Sequence, residues 1–331
     1  MPISLRSFGK INIGLAIGPR RQDGFHELRT LYQTIALHDI IRLDVARGIG
    51  IEIRCKDARV PCDESNTCYR TTDRVLKALK TRCRVIIQIE KKLPVKGGVG
   101  GASSNAIATM LGLEQALKTQ LSMEDKLRIA AEIGSDVPLF LIGGAVLGLG
   151  RGEEVYPLAD LPPLHCVLAT PETAVSTPQA FADWDQGPYA SETSPTSKLT
   201  APSSSDTINS FSQSLFAWLA GSATGVPAQN DGDRAEAPLL DLVRAGIEND
   251  FERVVFPQYP ELREVKRVLE REGARYASLS GSGSAVYGFF DSAAAAEKAA
   301  RRITANDLPA QATTTLPRTQ YWQQVFKGGK N

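Results

Sequence analysis

Residues 84–105 have the sequence RVIIQIEKKLPVKGGVGGASSN, and this stretch does most to decide the fold. Its first part, Arg84–Glu90, alternates polar and apolar side chains, which predicts a β-strand. A glycine-rich segment follows directly. Apolar residues then recur at helical spacing, at Ala106, Met110, Leu113 and Leu117. The predicted order is therefore strand, glycine loop and helix, with the loop at the start of the helix.

The loop has the composition of a phosphate-binding segment. Its four glycines allow backbone N–H groups to approach an anion, and the start of the next helix adds a positive potential. A tight strand-to-helix connection is the alternative, but it rarely needs four glycines followed by Ser-Ser-Asn. The segment is not a P-loop, and the chain has no G-x-G-x-x-G pattern of a dinucleotide site. The candidate phosphate-binding residues are Pro94, Val95, Lys96, Gly97, Gly98, Val99, Gly100, Gly101, Ala102, Ser103 and Ser104, and we expect Ser103 or Ser104 to cap the helix as well.

Length and composition indicate a globular protein of two ordinary domains. The chain has 331 residues, of which 42% are hydrophobic and 23% are charged. Its formal net charge of +1 gives no basic excess to gather the phosphates of DNA or RNA, so no nucleic-acid partner is expected. No apolar run reaches the roughly 18–20 residues of a membrane span, and the first residues lack the apolar region of a secretory signal. We therefore expect a cytoplasmic protein with no membrane partner.

The five cysteines and three histidines form no recognisable metal motif. The number of cysteines is odd, and no Cys-x-x-Cys pair occurs. A zinc site or a reactive thiol is the functional alternative, but ordinary reduced cysteines are the better interpretation. No two histidines have metal-ligand spacing, so the metal ligands stay unknown.

The N-terminal half predicts a sheet with helices. Apolar alternation indicates a strand, or two strands in line, over 3–17, followed by a turn at Asp23–Gly24. Ser122 precedes an acidic first turn, which predicts a capped helix over 123–133. The other predicted elements are strands over 31–37, 40–46 and 50–55, a helix from Asn66 or Thr67 to about Leu79, and buried strands with a turn over 139–149.

The C-terminal half predicts a second α+β domain with an insertion. Residues 185–237 are rich in Ser, Thr, Pro, Gly, Ala and Asn, which predicts a poorly ordered insertion or a long surface loop. One apolar island in it, Phe211–Leu219, fits an amphipathic helix. The other predicted elements are helices over 239–250, 260–272 and 292–303, two strands joined by a turn within 276–290, and a final strand near 309–315.

Phosphoryl transfer also needs a group that orients or deprotonates the nucleophile. Asp136 is a candidate because it lies in a turn between Gly134 and Pro138, next to an apolar run. Lys10 is another because it lies on a strand that is otherwise apolar, on the same face as Asn12. From spacing alone, a turn aspartate and a solvated edge lysine are the simpler explanations.

Five ordered motifs give the chain a resemblance to a known family. Residues 94–105 resemble the phosphate-binding motif of the GHMP kinases, which include galactokinase and the homoserine, mevalonate and phosphomevalonate kinases. Within that superfamily, the order of motifs is similar to that of the kinases that act on 4-diphosphocytidyl-2-C-methyl-D-erythritol. The other motifs are Gly9–Asn12, Arg21–Leu28, Gly134–Pro138 and Ser280–Ser284, and Glu248–Glu252 is a further similar segment. The resemblance covers nearly the whole chain except 185–237.

The resemblance implies a two-domain α+β GHMP kinase fold, with an N-terminal domain like the second domain of ribosomal protein S5 and a ferredoxin-like C-terminal domain. We expect an ATP-binding and catalytic domain over 1–155 and a substrate-binding domain over 156–331, which contains the insertion at 185–237. The implied reaction uses ATP and Mg²⁺ to phosphorylate the 2-hydroxyl of 4-diphosphocytidyl-2-C-methyl-D-erythritol, in the non-mevalonate route to isoprenoid precursors. ATP would bind at 94–104. A monomer or a homodimer is expected.

The resemblance also implies roles for the polar candidates. Asp136 would accept the proton of the attacking hydroxyl, and Lys10 beside it would keep Asp136 ionised. Asn12 and Tyr32 would make further contacts with the substrate.

A cytosine site is implied as well. His26 would hydrogen-bond the base, while Phe25 and Phe181 stack on its two faces. Core packing is the alternative for the two phenylalanines. The chain departs from the usual motif at Lys96 and Ala102, where small residues or glycine are common.

Two other functions stay open at this point. A superfamily kinase for homoserine or mevalonate would have no use for the aromatic trio Phe25, His26 and Phe181. A non-enzymatic nucleic-acid-binding protein would share the ribosomal fold, but the near-neutral charge and the motif positions of Lys10 and Asp136 argue against it.

Overall fold

The computed structural model describes residues 2–160, 162–188, 204–223 and 247–327, with side chains described up to residue 216 in the third range. In these residues, a six-stranded sheet and a four-stranded sheet form the framework of two domains. The predicted two-domain α+β architecture is confirmed. The exact limits, 1–155 and 156–331, stay a prediction.

The larger sheet has the order β3-β4-β2-β5-β6, and β1 pairs with β2 beside this path. Asn12 of β1 is opposite Tyr32 of β2, so the long antiparallel β1–β2 pair brings two candidate site residues together. The predicted strand over 84–90 is confirmed. The strands are β1 (Ile3–Arg20), β2 (His26–Ala46), β3 (Gly50–Cys55), β4 (Arg84–Glu90), β5 (Ala145–Leu149) and β6 (Glu154–Pro157).

The prediction of separate strands over 31–37 and 40–46 is wrong, because β2 runs through both without a break. The register with β1 shifts here, so that Phe8 is opposite His38 while Lys10 is opposite Thr34. The extra residues of β2 form a bulge rather than a turn. Asp39 therefore lies within a strand and is fully buried.

Three helices pack around the larger sheet, and two of them begin at the predicted caps. The side chain of Asn66 accepts a hydrogen bond from the Cys68 amide, and that of Ser122 accepts one from the Asp125 amide. The prediction of buried strands with a turn over 139–149 is wrong in its first part, where the chain forms a 3₁₀ helix (Pro138–Leu141), and is confirmed for the single strand β5. The helices are α1 (Thr67–Ala78), α2 (Gly101–Leu117) and α3 (Met123–Ile133).

The second sheet is antiparallel, with the order β10-β7-β9-β8. Along the chain the strands follow one another as β7, β8, β9 and β10, with helices between β7 and β8 and between β9 and β10. Together with the order in the sheet, this is the ferredoxin-like arrangement. The strands predicted within 276–290 and near 309–315 are confirmed, as are the helices over 260–272 and 292–303. The elements are β7 (His165–Ala169), α4 (Thr177–Gln186), α5 (Ser204–Ala223), α6 (Glu252–Gln258), α7 (Pro260–Arg271), β8 (Tyr276–Leu279), β9 (Val286–Phe290), α8 (Ala293–Thr304), β10 (Ala310–Thr314) and α9 (Arg318–Val325).

Parts of the predicted insertion lie outside the described residues, namely 189–203 and 224–237. The helix predicted at Phe211–Leu219 is confirmed, since α5 spans it. Of the helix predicted over 239–250, the first eight residues also lie outside the described chain. Its last part is not helical, because Asn249 forms a β-bridge with Leu15 of β1.

The C-terminal helix α9 returns to the N-terminal domain. Tyr321 is buried in the core beside the larger sheet, and its hydroxyl donates to the carbonyl of Phe140 at 2.7 Å. All five cysteines are free thiols. Among the helices of the described residues, none has the length and apolarity needed to cross a membrane.

Candidate active site

The glycine loop between β4 and α2 is held by contacts from both domains. The amide of Lys10 in β1 donates to the carbonyl of Val99 at 3.0 Å. From the turn between β8 and β9, the Ser280 hydroxyl donates to the carbonyl of Gly98 at 3.0 Å. The loop is therefore fixed where the two domains meet.

Two loop glycines have a left-handed backbone conformation and leave little or no room for a side chain. Gly98 has a φ of +72°, and a Cβ there would lie 2.1 Å from the carbonyl oxygen of Ser280. Gly100 has a φ of +68°, and a Cβ there would lie 3.0 Å from both the Lys10 side chain and the Phe140 ring. Both glycines line a cavity. The close approach of the two domains depends on Gly98, and the shape of the loop depends on both glycines.

A cavity of about 340 Å³ opens over the loop. Ser104 lies behind its wall, since the Ser104 side chain is buried and its oxygen accepts a hydrogen bond from Ser7 at 2.7 Å. The predicted capping of α2 by Ser103 or Ser104 is wrong, because Gly100 is the N-cap and no side chain caps the helix. The cavity is lined by residues 59–61, 65–67, 89, 91, 94–103 and 105.

Lys10 and Asp136 form an ion pair next to the glycine loop, to which the backbone of Lys10 is bonded at Val99. The Nζ atom of Lys10 lies 3.2 Å from Oδ2 of Asp136 and donates to Oδ1 of Asn12 at 2.6 Å. The Lys10 side chain is only 3% exposed, whereas that of Asp136 is 35% exposed. A ligand can therefore reach the carboxylate, while the ammonium is held in place by protein groups.

Tyr32 supplies a second partner for the same carboxylate. Its hydroxyl donates to Oδ1 of Asp136 at 3.0 Å. Burial, and then the charge of Asp136, raise the pKa of Tyr32 well above its ordinary value. The hydroxyl therefore stays protonated and acts as a hydrogen-bond donor at any physiological pH.

A second cavity of about 560 Å³ lies next to the first, and Gly98 lines both. All of the predicted substrate residues line this second cavity, which we call the cleft. The residues from the prediction are Lys10, Asn12, Phe25, His26, Tyr32, Asp136 and Phe181. The cleft thus connects the Lys10–Asp136 pair to an aromatic region.

His26 is more constrained than the sequence suggested. Its Nδ1 atom lies 3.0 Å from the carbonyl oxygen of Gly18, and its Nε2 atom lies 3.0 Å from a carboxylate oxygen of Asp185. Its ring is stacked on that of Phe181, with centroids 5.3 Å apart and an angle of 7° between the planes. His26 therefore joins β2 to α4 across one wall of the cleft.

Phe25 is the most exposed of the aromatic residues in the cleft, at 53%. The guanidinium of Arg151 lies 4.9 Å from the centre of its ring, which is a cation–π distance. Arg151 is itself held by Glu153, which accepts a hydrogen bond from its Nε atom at 2.9 Å. One face of the Phe25 ring is thus covered by a cation.

Asn249 fixes the turn that covers the Lys10 end of the cleft. Its buried amide nitrogen donates to the carbonyls of Leu279 and Gly281, each at 2.8 Å. A Cβ at Gly281 would lie 3.6 Å from Nζ of Lys10. The segment that contains Asn249 therefore places the turn of the C-terminal domain directly over the ion pair.

Sequence reasoning missed several residues that the fold places at the site. Asp185 falls at the edge of the stretch that was interpreted as an insertion, and Arg151 lies in a short glycine turn without a motif of its own. The only available signal was the Ser176–Pro178 helix start, which predicts α4 and hence a defined position for Asp185.

Two curated relatives match most of the chain. The 4-diphosphocytidyl-2-C-methyl-D-erythritol kinase of Solibacter usitatus is 37% identical over 286 residues, which cover 86% of this chain and 80% of that protein. The enzyme of the same name from Moorella thermoacetica is 33% identical over 317 residues, which cover 96% of this chain and 99% of that protein. The chain belongs to the 4-diphosphocytidyl-2-C-methyl-D-erythritol kinase family.

Domain and structure comparisons agree with this family. The GHMP kinases N terminal domain matches residues 66–144, and GHMP kinases C terminal matches residues 234–308. A crystal structure of 4-(cytidine 5'-diphospho)-2C-methyl-D-erythritol kinase has a TM-score of 0.71 at 27% identity and covers 95% of this chain and 99% of that one. Homoserine kinase from Cytophaga hutchinsonii shares the fold, with a TM-score of 0.65 at 20% identity, 96% coverage of this chain and 95% of that one.

The sequence-based prediction of a GHMP kinase is thus confirmed. As a member of this family, the chain is an ATP-dependent phosphotransferase with an alcohol group as acceptor. The homoserine kinase, which represents one of the open alternatives, is similar to the chain in fold at 20% identity.

Proposed function

We propose that this kinase transfers the γ-phosphoryl group of ATP to the 2-hydroxyl of 4-diphosphocytidyl-2-C-methyl-D-erythritol. One observation carries the proposal: the Lys10–Asp136 pair lines a cleft with an aromatic wall, beside the glycine loop, and Gly98 of that loop lines both this cleft and the cavity over the loop. A nucleotide in the first cavity and a nucleoside-bearing alcohol in the second would meet at this pair.

Asp136 is the proposed acceptor of the hydroxyl proton. Its carboxylate is exposed to the cleft, accepts a hydrogen bond from Tyr32 and forms an ion pair with Lys10. These two partners hold the carboxylate in one orientation, and the ammonium of Lys10 offsets the negative charge that gathers on the transferred phosphoryl group. Because Lys10 is buried against Asn12, its charge is already in place before the substrates bind.

The glycine loop is the proposed phosphate site. Within residues 94–104, the segment from Val95 to Ser103 lines the cavity and supplies backbone amides before and at the start of α2, where the helix dipole favours an anion. Lys96 lies on the wall of the same cavity and carries a positive charge.

Mg²⁺ is the proposed metal of the reaction. In the described part of the chain, no three His, Cys, Asp or Glu side chains are grouped to hold a metal ion. Mg²⁺ keeps several waters and binds mainly through the phosphates of a nucleotide, so it needs few protein ligands. The Ser103 hydroxyl on the cavity wall and the Asp136 carboxylate in the cleft are the protein oxygens that would be available to such an ion. When bound, Mg²⁺ neutralises phosphate charge.

The aromatic wall is the proposed cytosine site. Phe25 and Phe181 offer ring faces or edges to a base, and stacking of this kind contributes about 1–3 kcal/mol per base. His26 stacks on Phe181 and is bound to Asp185 of α4, so it belongs to the same wall as Phe181. A substrate without a nucleobase would leave this wall unused.

The experiment is a coupled ADP-release assay with ATP, Mg²⁺ and 4-diphosphocytidyl-2-C-methyl-D-erythritol, run beside homoserine and mevalonate. We expect turnover of the cytidine substrate alone, and a loss of at least about a hundredfold in kcat for Asp136→Ala because the general base is missing. Asp291→Ala is the control, since that carboxylate forms an exposed ion pair with Arg275. Turnover of another alcohol in place of the cytidine substrate would refute the substrate assignment.

We further propose that the enzyme works in the cytoplasm as a monomer or homodimer, with no membrane or nucleic-acid partner. The formal net charge of +1 supports the last point.

A further inference from the structure

Asp39 is a fully buried carboxylate beneath the glycine loop. Its Oδ1 atom accepts hydrogen bonds from the backbone amides of Lys92 at 2.7 Å and Leu93 at 2.8 Å. Its Oδ2 atom accepts from Nζ of Lys91 at 2.6 Å and from the amide nitrogen of Asn105 at 3.0 Å. Four donors therefore converge on one side chain.

These four donors come from both ends of the loop. Lys92 and Leu93 immediately precede Pro94, where the loop begins, and Asn105 lies in α2 directly after Ser104, where the loop ends. Asp39 itself belongs to β2, which pairs with β1, β4 and β5 in the middle of the sheet. One carboxylate thus ties the two ends of the loop to each other and to the sheet.

The charge of Asp39 also has a specific partner. Lys91 lines the cavity over the glycine loop, which is the proposed nucleotide site. Its side chain is 9% exposed, and its ammonium is bound to Asp39. Of the described residues that line this cavity, none is Asp or Glu. The negative charge that balances Lys91 therefore stands behind the wall, where it does not face the phosphates of a nucleotide.

An amide could not replace this carboxylate. All four contacts of Asp39 are donors, so both of its oxygens must accept. In Asp39→Asn, an NH₂ group would face either Lys91 and Asn105 or the two backbone amides, and two donors would lose their acceptor. The isosteric change therefore releases one end of the loop without changing its volume.

We propose that Asp39 is a positioning residue for nucleotide binding, which holds the glycine loop in its anion-receiving conformation before the nucleotide arrives. The inference rests on the proposed ATP site at 94–104. A loop that is already ordered pays less conformational entropy on binding, so the effect belongs to nucleotide affinity. The alcohol site in the cleft does not touch Asp39.

The test is equilibrium binding of a non-hydrolysable ATP analogue, with the melting temperature measured in parallel. We expect Asp39→Asn to weaken nucleotide binding by at least about tenfold, as the loss of hydrogen bonds to a charged group predicts. The KM for the cytidine substrate should change less than twofold. Hydrogen exchange of the amides in 94–104 should become faster.

Glu114→Gln is the matched control. Glu114 is also a buried carboxylate on α2, with an ammonium partner, Lys126, at 2.8 Å and a backbone donor, Leu121, at 2.6 Å, but it lies at the far end of the helix. It should lower the melting temperature and leave nucleotide affinity unchanged. If both variants lose stability and keep full nucleotide affinity, Asp39 is structural only and the proposal is wrong.

Asn105→Ala is the second variant, in case Asp39→Asn does not fold. It removes one link from the helix side and leaves the Asp39–Lys91 pair intact, so we expect a smaller loss of nucleotide affinity, of about threefold or more. Unchanged affinity would contradict the proposal. Because these readouts use nucleotide binding, a wild type that binds the analogue but does not phosphorylate the cytidine substrate would refute the proposed function and leave the test of Asp39 intact.

Discussion

The ammonium of Lys10 lies 3.2 Å from the carboxylate of Asp136, and only the carboxylate is open to the cleft. A buried cation in this position serves the chemical step more than substrate capture. We therefore expect Lys10→Met to lower kcat by about a hundredfold or more and to change either KM by less than fivefold. Lys92→Met is the control, because Lys92 is half-exposed and 3.5 Å from Glu90. A kcat within threefold of wild type would contradict a catalytic role for Lys10.

Tyr32→Phe removes only the hydroxyl that donates to Asp136. We expect kcat/KM to fall by about tenfold, the effect of losing one hydrogen bond to a charged acceptor. Because the pKa of Tyr32 is raised well above its ordinary value, the loss should be the same at pH 6.5 and pH 8.5. Tyr321→Phe is matched to it, since that buried hydroxyl donates to the carbonyl of Phe140 in the core. Tyr321→Phe should lower stability and leave kcat/KM unchanged. If Tyr321→Phe lowers kcat/KM and Tyr32→Phe leaves it unchanged, Tyr32 has no role in the site.

Phe181→Leu tests the aromatic wall of the cleft. The variant keeps an apolar side chain against Phe251 but removes the ring that stacks on His26. We expect the KM for the cytidine substrate to rise about tenfold, within the 1–3 kcal/mol range of base stacking, while the KM for ATP stays constant. Steady-state kinetics with each substrate varied in turn would measure this. An equal rise in both KM values would indicate general disruption instead, and Phe326→Leu, a half-exposed site on another face, is the control.

The glycine loop was predictable from the sequence because its chemistry is local. Glycine at 98 and 100 reflects a backbone with positive φ and a close neighbour, and both needs are visible in a run of glycines beside a helix. The helix starts at Asn66 and Ser122 were predictable for the same reason, since a cap depends on residues within one turn.

The rest depended on contacts between distant segments. Asp39 lay in the gap between two predicted strands, and its role appears only when β2 is continuous and α2 packs against it. Short elements such as β7 and α4 carry little periodic signal, and α4 begins inside a stretch rich in Ser, Thr and Pro. The pairing of Lys10 with Asp136 likewise depends on where the turn after α3 meets β1. The resemblance to GHMP kinases supplied that pairing, whereas spacing did not.

Lys96 has a φ of +61°, a conformation that is unfavourable for a residue with a side chain. Lys96 lines the cavity over the glycine loop, and its ammonium has no hydrogen-bond or ion-pair partner among the side chains that the structure describes. We expect Lys96→Gly to leave the melting temperature unchanged or raise it, because strain is released, and to raise the KM for ATP about threefold as one positive charge is lost. Higher salt should reduce the difference between the two proteins. A lower melting temperature with full ATP affinity would contradict both expectations.

Asp250 should make the stability of the protein depend on pH. Burial raises the pKa of its carboxyl to about 6, and Arg253 at 3.4 Å offsets this only in part. The unfolded chain releases this proton near pH 3.9, so the folded state binds more protons between about pH 4 and pH 6. The contribution of Asp250 to the free energy of unfolding is therefore largest below pH 4 and falls as the pH rises, by up to about 3 kcal/mol for two pKa units.

Asp250→Asn removes this titration and keeps an oxygen that can accept from the amide of Ile17, which donates to Asp250 at 2.9 Å. Urea unfolding at pH 5.0, 6.0 and 7.5 would measure the effect. We expect the variant to gain stability relative to wild type as the pH rises through this range, because its free energy of unfolding lacks the contribution of the Asp250 carboxyl, which declines with pH. Asp291→Asn, which alters an exposed ion pair, should stay parallel to wild type. If Asp250→Asn also stays parallel, the carboxyl titrates with the same pKa in both states, and burial at this position does not cost the folded protein free energy at neutral pH.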